Sequence, residues 1–385
     1  MNVPADLRRA FDARFGAFGY ASRAPGRINL IGEHTDYNDG FVMPAAIGLY
    51  TWALASPRRD RRLIVRSKNI GQEAELRLDE LSTSDRWFDY VAATAWALER
   101  HGLRLCGANL LLAGDLPLGS GLSSSASLQV AVAQVLLKMA GADLPAIELA
   151  KLCQRGENEF VGARCGLMDQ FATCFGAAGH AVLLDCRSLE HRLLPLPEGV
   201  RLVVANTMVS HAIAAGEYNR RREQCEAVVA ALRAGGERVE SLRQLPLEEL
   251  EQARPNLDPL LYRRARHVVT ENERVLAAAR ALERRDAASL GALMSASHRS
   301  LRDDYEVSSA ELDCLVKLAE ECPGVFGARL TGGGFGGCIV ALVADGALDS
   351  FRARLTEGYR RAFSLEPWIY AGPLVDGACR EPAAA

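Results

Sequence analysis

Residues 116–131, LPLGSGLSSSASLQVA, constrain this chain more than any other stretch, because glycines and hydroxyls there join two apolar runs. Leu110 to Ala113 form an apolar run ahead of it, and Val130, Val132, Val135 and Leu136 predict a helix after it. Between them Gly119 and Gly121 can take backbone angles closed to other residues, and Ser123, Ser124 and Ser125 are N-cap candidates. A helix start carries roughly half a positive charge on free N–H groups, so Gly119, Ser120, Gly121, Leu122 and Ser123 to Ser125 read as a cradle for phosphate oxygens. On residue type alone an ordinary loop and cap stays open. A Walker loop is excluded, since it requires G-x-x-x-x-G-K-[ST] and Lys68, Lys138, Lys151 and Lys317 all stand away from glycine-rich turns. Phosphate binding must then rest on amides, hydroxyls and arginine.

With 385 residues, 49% hydrophobic and 24% charged, the chain is expected to be globular and to divide into two domains. A net charge of −3 gives no basic excess, and the arginines around Asp60 are interleaved with acid, so nucleic acid is not an expected partner. No apolar run approaches a membrane span and the first residues lack a signal-peptide core, which predicts a cytoplasmic protein without a membrane partner. The ten cysteines stand singly, with no C-x-x-C, and read as reduced core thiols. Neither H-E-x-x-H nor G-x-S-x-G occurs.

The second informative stretch is residues 21–40, ASRAPGRINLIGEHTDYNDG. Ile28, Leu30 and Ile31 predict a strand entering the core, and Asn38-Asp39-Gly40 predicts a hairpin turn leading out through Phe41. Glu33, His34 and Asp36 lie between buried runs and need partners or water. An exposed polar loop would satisfy them. So would a sugar, because a carboxylate accepts from two neighbouring hydroxyls while a histidine can donate and accept. Further along, Glu157 and Asp169 flank a glycine-containing turn, with Asp169 placed to open a helix and Glu157 in an expected helix at 145–160. By type these could equally be a helix-start charge and a solvated carboxylate.

PLGSGLSSSAS resembles the nucleotide loop of the GHMP kinases, and GRINLIGEHTDYNDG resembles the signature of the galactokinases within that superfamily. The resemblance implies an α+β, two-domain GHMP kinase-like fold with the active site in the interdomain cleft, divided near residue 190 into 1–190 and 191–380. It implies transfer of the ATP γ-phosphoryl group to the anomeric hydroxyl of α-D-galactose, with Mg²⁺ on Ser125 and Glu157. CGLMDQF at 165–171 matches the family segment that sets its aspartate at the anomeric hydroxyl, here Asp169, with Gly166 beside the sugar. Arg27 would bridge Asp169 and the moving phosphoryl group. Glu33 and His34 would approach the C6 end of the sugar, and Asp36 and Tyr218 its C3/C4 side. Asp169 would take the proton late, as the hydroxyl acidifies during bond formation.

Two further assignments follow from the same resemblance. Trp87, a core residue by type, corresponds to a tryptophan near the adenine. The third family motif, here RLTGGGFGGC at 329–338, contains a formal G-x-G-x-x-G, but it runs into a β-rich segment and not a helix, which excludes the dinucleotide reading. Close backbone approach to a ligand or neighbouring loop is expected, with Gly333 and Gly334 beside the nucleotide. Residues 298–308, HRSLRDDYEVS, also resemble the galactokinases. Ser120 departs from the family, where glycine is common, and adds a side chain near the phosphates. Two alternatives share these motifs: a kinase of a related sugar such as N-acetylgalactosamine or arabinose, and a galactose/ATP sensor without turnover. The uninterrupted serines and the presence of Arg27, Glu157 and Asp169 favour an enzyme, with galactose and ATP as partners and a monomer sufficient.

Overall fold

The computed structural model describes residues 2–117, 119–210 and 214–379. Residues 381–385, expected from composition to be disordered, lie outside them. In chain order the strands are β1 (Tyr20–Asn29), β2 (Phe41–Val42), β3 (Pro44–Arg58), β4 (Arg62–Ser67), β5 (Gln72–Arg77), β6 (Gly107–Gly114), β7 (His180–Asp185), β8 (His191–Pro195), β9 (Val200–Ser210), β10 (Val325–Thr331), β11 (Gly336–Ala344) and β12 (Trp368–Tyr370).

Among the described residues these form three sheets, ordered β1-β3-β6-β4-β5, β10-β11-β9-β12 and β2-β7-β8. The first is antiparallel except where β4 runs parallel to β6. Its strands carry alanine, leucine and valine toward helices Asp89–Arg100, Ser124–Ala140 and Ala146–Arg155, closing one core. A second core lies between β9, β10 and β11 and helices Ala214–Ala234, Pro259–Glu283, Ala310–Glu320 and Leu348–Phe363. A third is shared by both halves: Ile28, Leu30, Met43 and Leu183 pack with Val204, Val275, Met294 and Val340. The division expected near residue 190 falls in the turn between β7 and β8, which pair with each other.

The tight hairpin expected at Asn38-Asp39-Gly40 does not form. β1 pairs with β3, from Tyr20 opposite Ala55 to Asn29 opposite Pro44, so residues 30–43 make one long loop. Asp36–Asn38 is a short 3-10 turn in it, Asp39 is left-handed at φ 58°, and Phe41–Val42 pair instead with β7. Asn38 is held by its own side chain, whose Nδ2 donates to the carbonyl of His34 at 2.9 Å. The polar loop is therefore folded into the protein, and Glu33, His34 and Thr35 are buried.

Helix Ala287–Asp303 lies directly on β10, and a Cβ added to Gly291 would stand 2.1 Å from the carbonyl oxygen of Phe326. Glycine inside a helix costs about 1 kcal/mol relative to alanine, so its presence here is explained by the approach of helix and strand backbones. Gly291→Ala should therefore destabilise the protein by roughly 1–3 kcal/mol through overpacking, against its gain in helix propensity. A urea denaturation midpoint equal to or above that of the parent chain would contradict this packing.

Candidate active site

Two cavities meet at the start of helix Ser124–Ala140. One, of about 510 Å³, is lined by Arg27, Glu33, His34, Asp36, Glu157, Gly166, Asp169, Tyr218 and Gly333, among others. The other, of about 420 Å³, is lined by Ser67, Asn69, Trp87, Leu112 and Gly119. Tyr90, Ser124 and Ser125 belong to both walls.

Ser123 does not cap this helix, contrary to expectation. It sits in the left-handed region at φ 59°, its side chain makes no cap, and its Oγ donates to Asp169 Oδ2 at 2.6 Å. The helix start thus has no side-chain cap on its first N–H groups, the condition for anion binding, and its Ser124 and Ser125 line both cavities. Ser120 Oγ is buried and donates to the carbonyl of Pro117 at 2.7 Å, so the departure from glycine occupies protein and not the seam.

Arg27, near the end of β1, is tied to the same loop: its backbone N–H donates to the carbonyl of Leu122 at 3.1 Å. Its side chain is buried, with Nη1 donating to the carbonyl of Gly121 at 2.7 Å, and Nε and Nη2 donating to Asp169 Oδ1 at 2.8 and 2.6 Å. Asp169 lies in the first turn of helix Met168–Phe175, where Leu167 is the cap, and its carboxylate is spent on Arg27 and Ser123, not on helix amides. Glu157 falls where helix Ala146–Arg155 widens into a π turn, Gly156–Val161, an irregularity that swings it toward the cavity. Burial, together with nearby Asp169, raises its pKa to about 7 despite hydrogen bonds from Ser125 and Gln170. The Gln170 Nε2 bond is 2.7 Å.

Asp36 is half-buried at the other end, and a Cβ on Gly166 would stand 2.0 Å from its Oδ2, so the glycine leaves room for this carboxylate. Its Oδ1 accepts from Tyr37 N at 3.0 Å. Burial and the charge of Asp169 raise its pKa to about 6.

Glu33 is more heavily committed than its sequence position suggests. Oε1 accepts from Gly332 N at 2.8 Å, while Oε2 accepts from Asn29 Nδ2 at 2.6 Å and pairs with Arg329 Nη2 at 2.6 Å. Burial still raises its pKa. His34, left-handed at φ 63°, has both ring nitrogens occupied, Nδ1 with Tyr37 OH at 2.7 Å and Nε2 with the carbonyl of Gly333 at 3.2 Å. Burial lowers its pKa well below the usual value, so the ring is neutral.

Trp87 lines the second cavity, with Nε1 donating to Gln72 Oε1 at 3.0 Å, while its ring also packs on the first core. Gly333 stands by His34 and Tyr218 in the larger cavity, and Gly334 is packed against Val307; neither lines the second cavity. The close approach expected of this glycine loop is to the phosphate loop: Cβ atoms on Gly332 and Gly337 would stand 2.8 Å from the carbonyls of Gly121 and Ser120. Asn29, Ser123's bond to Asp169, Gln170 and Arg329 were not singled out from sequence. Their one signal is adjacency, Gln170 to Asp169 and Arg329 to the glycine run.

The chain matches the GHMP kinases N terminal domain over residues 89–177, the galactokinase galactose-binding signature over 9–57 and the GHMP kinases C terminal domain over 278–361. It is 44% identical to a galactokinase of Roseiflexus sp. (strain RS-1) over 97% of this chain and 96% of that one. To a galactokinase of Chloroflexus aggregans it is 47% identical over 90% of each. Its structure is similar to that of Lactococcus lactis galactokinase complexed with galactose, with TM-score 0.92 and 37% identity over 97% and 98% of the two chains. Mevalonate kinase of Methanococcus jannaschii, at TM-score 0.65 and 16% identity over 94% of this chain and 100% of that one, shares the fold alone.

If Asp36 accepts from substrate hydroxyls, ligand binding needs its ionised form. Protonation below about pH 6 converts an acceptor to a donor, so kcat/KM for the sugar should fall as pH drops through that value. In Asp36→Asn this step should vanish from the profile. A step of equal size at the same pH would assign it to another group.

Proposed function

Because this chain belongs to the galactokinase family, we propose that the larger cavity receives galactose, the smaller one the nucleoside of ATP, and the helix start between them the phosphates. The reaction is transfer of the γ-phosphoryl group of ATP to the anomeric hydroxyl of α-D-galactose, giving galactose 1-phosphate and ADP. The observation that carries the site assignment is Asp169, fixed by Arg27 and Ser123 on the sugar side of a seam whose other bank is the uncapped helix start.

A loose phosphoryl-transfer transition state asks little of the nucleophile, so catalysis is chiefly alignment and charge neutralisation. Asp169 receives the anomeric proton as the O–P bond forms. Its rotation is prevented by Arg27 on Oδ1 and Ser123 on Oδ2. Arg27 holds a positive charge at the seam throughout, and its bond to the Gly121 carbonyl keeps the phosphate loop in register with Asp169. Asp36 and Tyr218 face the C3/C4 side of the sugar, and Glu33 and His34 its C6 end. Trp87 covers the base.

Mg²⁺ fits the donors present. Glu157 is a buried carboxylate close to Asp169, and Ser125 adds a hydroxyl. Among the described residues no group of three or more His, Cys, Asp or Glu could hold a metal ion, which suits a cation completed by phosphate oxygens and water. Bound by Ser125 and Glu157, Mg²⁺ would supply charge neutralisation to the triphosphate. On this reading the enzyme works in the cytoplasm. Among the described residues no helix is long and apolar enough to cross a membrane.

The decisive variant is Asp169→Asn. Losing the base should lower kcat by about 10²–10⁴-fold, and weakening the partner of a buried guanidinium should lower stability by roughly 1–3 kcal/mol. Both are read on one preparation, well below its melting temperature, together with galactose calorimetry. A kcat within a few-fold of the parent on folded protein would remove Asp169 from the chemistry.

Specificity provides a second check. A buried site that pairs a hydroxyl rejects an analogue that leaves it unpaired by about 10⁴-fold or more. Across a panel of free sugars in an ATP-consumption assay, galactose should exceed its C4 epimer glucose on this scale. N-acetylgalactosamine or arabinose turning over faster than galactose would reassign the sugar.

A further inference from the structure

The segment HRSLRDDYEVS has no part in the mechanism above, yet Tyr305 within it is buried between His34 and His267, with ring centroids at 4.7 and 4.5 Å. Its hydroxyl lies 2.8 Å from Tyr37 OH and 3.2 Å from Cys225 Sγ. Tyr37 OH in turn lies 2.7 Å from His34 Nδ1. The backbone of the same turn is anchored to the helix that carries Tyr218, where Arg221 Nε and Nη2 donate to the carbonyls of Tyr305 and Glu306, each at 2.8 Å.

The direction of every bond in this chain follows from one end. The Gly333 carbonyl can only accept, so His34 Nε2 carries the ring proton. A neutral ring then has a bare Nδ1, which accepts from Tyr37. The Tyr37 oxygen, having given its proton, accepts from Tyr305, which is left to accept from the Cys225 thiol. We infer that Tyr305 and Tyr37 are positioning residues: the Gly333 carbonyl selects the Nε2–H tautomer, and the two tyrosines hold the His34 ring by its bare Nδ1 so that Nε2–H is presented to galactose as a donor. This rests on the reading of the larger cavity as the sugar site. The 3.2 Å bond to Gly333 is long enough for the same N–H to be shared with, or passed to, a sugar hydroxyl.

Tyr37→Phe keeps the ring and removes the donor to Nδ1. With ¹⁵N-histidine labelling, the His34 signals, identified by their loss in His34→Asn, should show the Nε2–H form with a hydrogen-bonded Nδ1 in the parent, and in Tyr37→Phe the same tautomer with the Nδ1 resonance shifted downfield, as for an unbonded ring nitrogen. Asparagine tolerates the left-handed backbone at this position. KM for galactose should rise roughly 5- to 100-fold, the consequence of a buried acceptor left unpaired, with kcat and KM for ATP little changed. Tyr305→Phe should act in the same direction but more weakly. With 6-deoxygalactose, which lacks the hydroxyl at the C6 end, the KM penalty of Tyr37→Phe should disappear, whereas a merely structural defect would weaken both sugars alike. An Nδ1–H ring in the parent, or an unchanged Nδ1 resonance in Tyr37→Phe, would overturn the relay. An Nδ1 resonance that shifts while KM for galactose does not change, or a penalty that persists with 6-deoxygalactose, would overturn the donor role. The galactokinase reading fails separately, if the parent chain does not turn galactose over.

Discussion

One buried guanidinium holds this site together. Arg27 is enclosed by protein, and a buried cation is tolerated only where its donors are matched. It has two partners, the Gly121 carbonyl in the phosphate loop and the Asp169 carboxylate at the sugar cavity. Asp169 cannot move without leaving the charge unpaired, and the Gly121 carbonyl cannot move without leaving a buried donor unmatched, so the distance between the glycine-serine loop and the Asp169 carboxylate is set by the length of one arginine. The bond from Arg27 N to Leu122 O adds a backbone restraint to the same end. Geometry relevant to phosphoryl transfer is thus fixed by an interaction that neither substrate has to make.

Around that cation the balance is deliberately acidic. Asp36, Glu157 and Asp169 face a cavity to which Arg27 gives the nearest positive charge, and the cost appears as the raised pKa values of Asp36 and Glu157, about 6 and about 7. On the proposed reading each would be relieved by a different ligand, Asp36 by the hydroxyl donors of a sugar and Glu157 by a divalent cation. Burial raises the pKa of Glu33 too, but its carboxylate is already paired with Arg329 and accepts from Asn29 and Gly332, so it fixes the loop.

Local sequence carried much of this and misled in identifiable places. Glycines at 119 and 121, at φ 67° and 76°, and the apolar helix behind them were legible because backbone freedom and periodicity are local properties. Ser123 read as a cap because the residue type favours capping; its left-handed backbone, imposed by the loop, sends the hydroxyl to Asp169 instead. Asn38-Asp39-Gly40 read as a hairpin because nothing in the tripeptide shows that β1 finds β3 across a longer loop. Sheet order depends on strands distant in the chain, as where β9 pairs with β11 and β12, and the shared third core and the Glu33–Arg329 pair join residues about 300 positions apart, as does the 2.9 Å bond from Asn29 N to Thr331 Oγ1; spacing cannot report them.

Those long-range bonds divide the labour between the halves of the chain. Of the side chains lining the larger cavity, Arg27, Asp36, Glu157 and Asp169 come from the first half, while Tyr218 comes from the second. The clamps that shape the sugar loop come largely from the second. Glu271 accepts from Gly32 N at 2.9 Å, Asn272 accepts from Phe41 N at 2.8 Å, and His267 Nε2 meets the Glu33 carbonyl at 3.1 Å. Burial opposes the charge on Glu271, yet Arg274, His267 and Arg329 hold its pKa at about 2, so this clamp stays ionised wherever the enzyme works. A loop bearing three ionisable groups can therefore be buried without collapsing, because its backbone is pinned by ionised and neutral partners from across the cleft. The polar sequence that would suit an exposed loop becomes a rigid sugar cradle only because the second half of the chain supplies the donors and acceptors that water would otherwise provide.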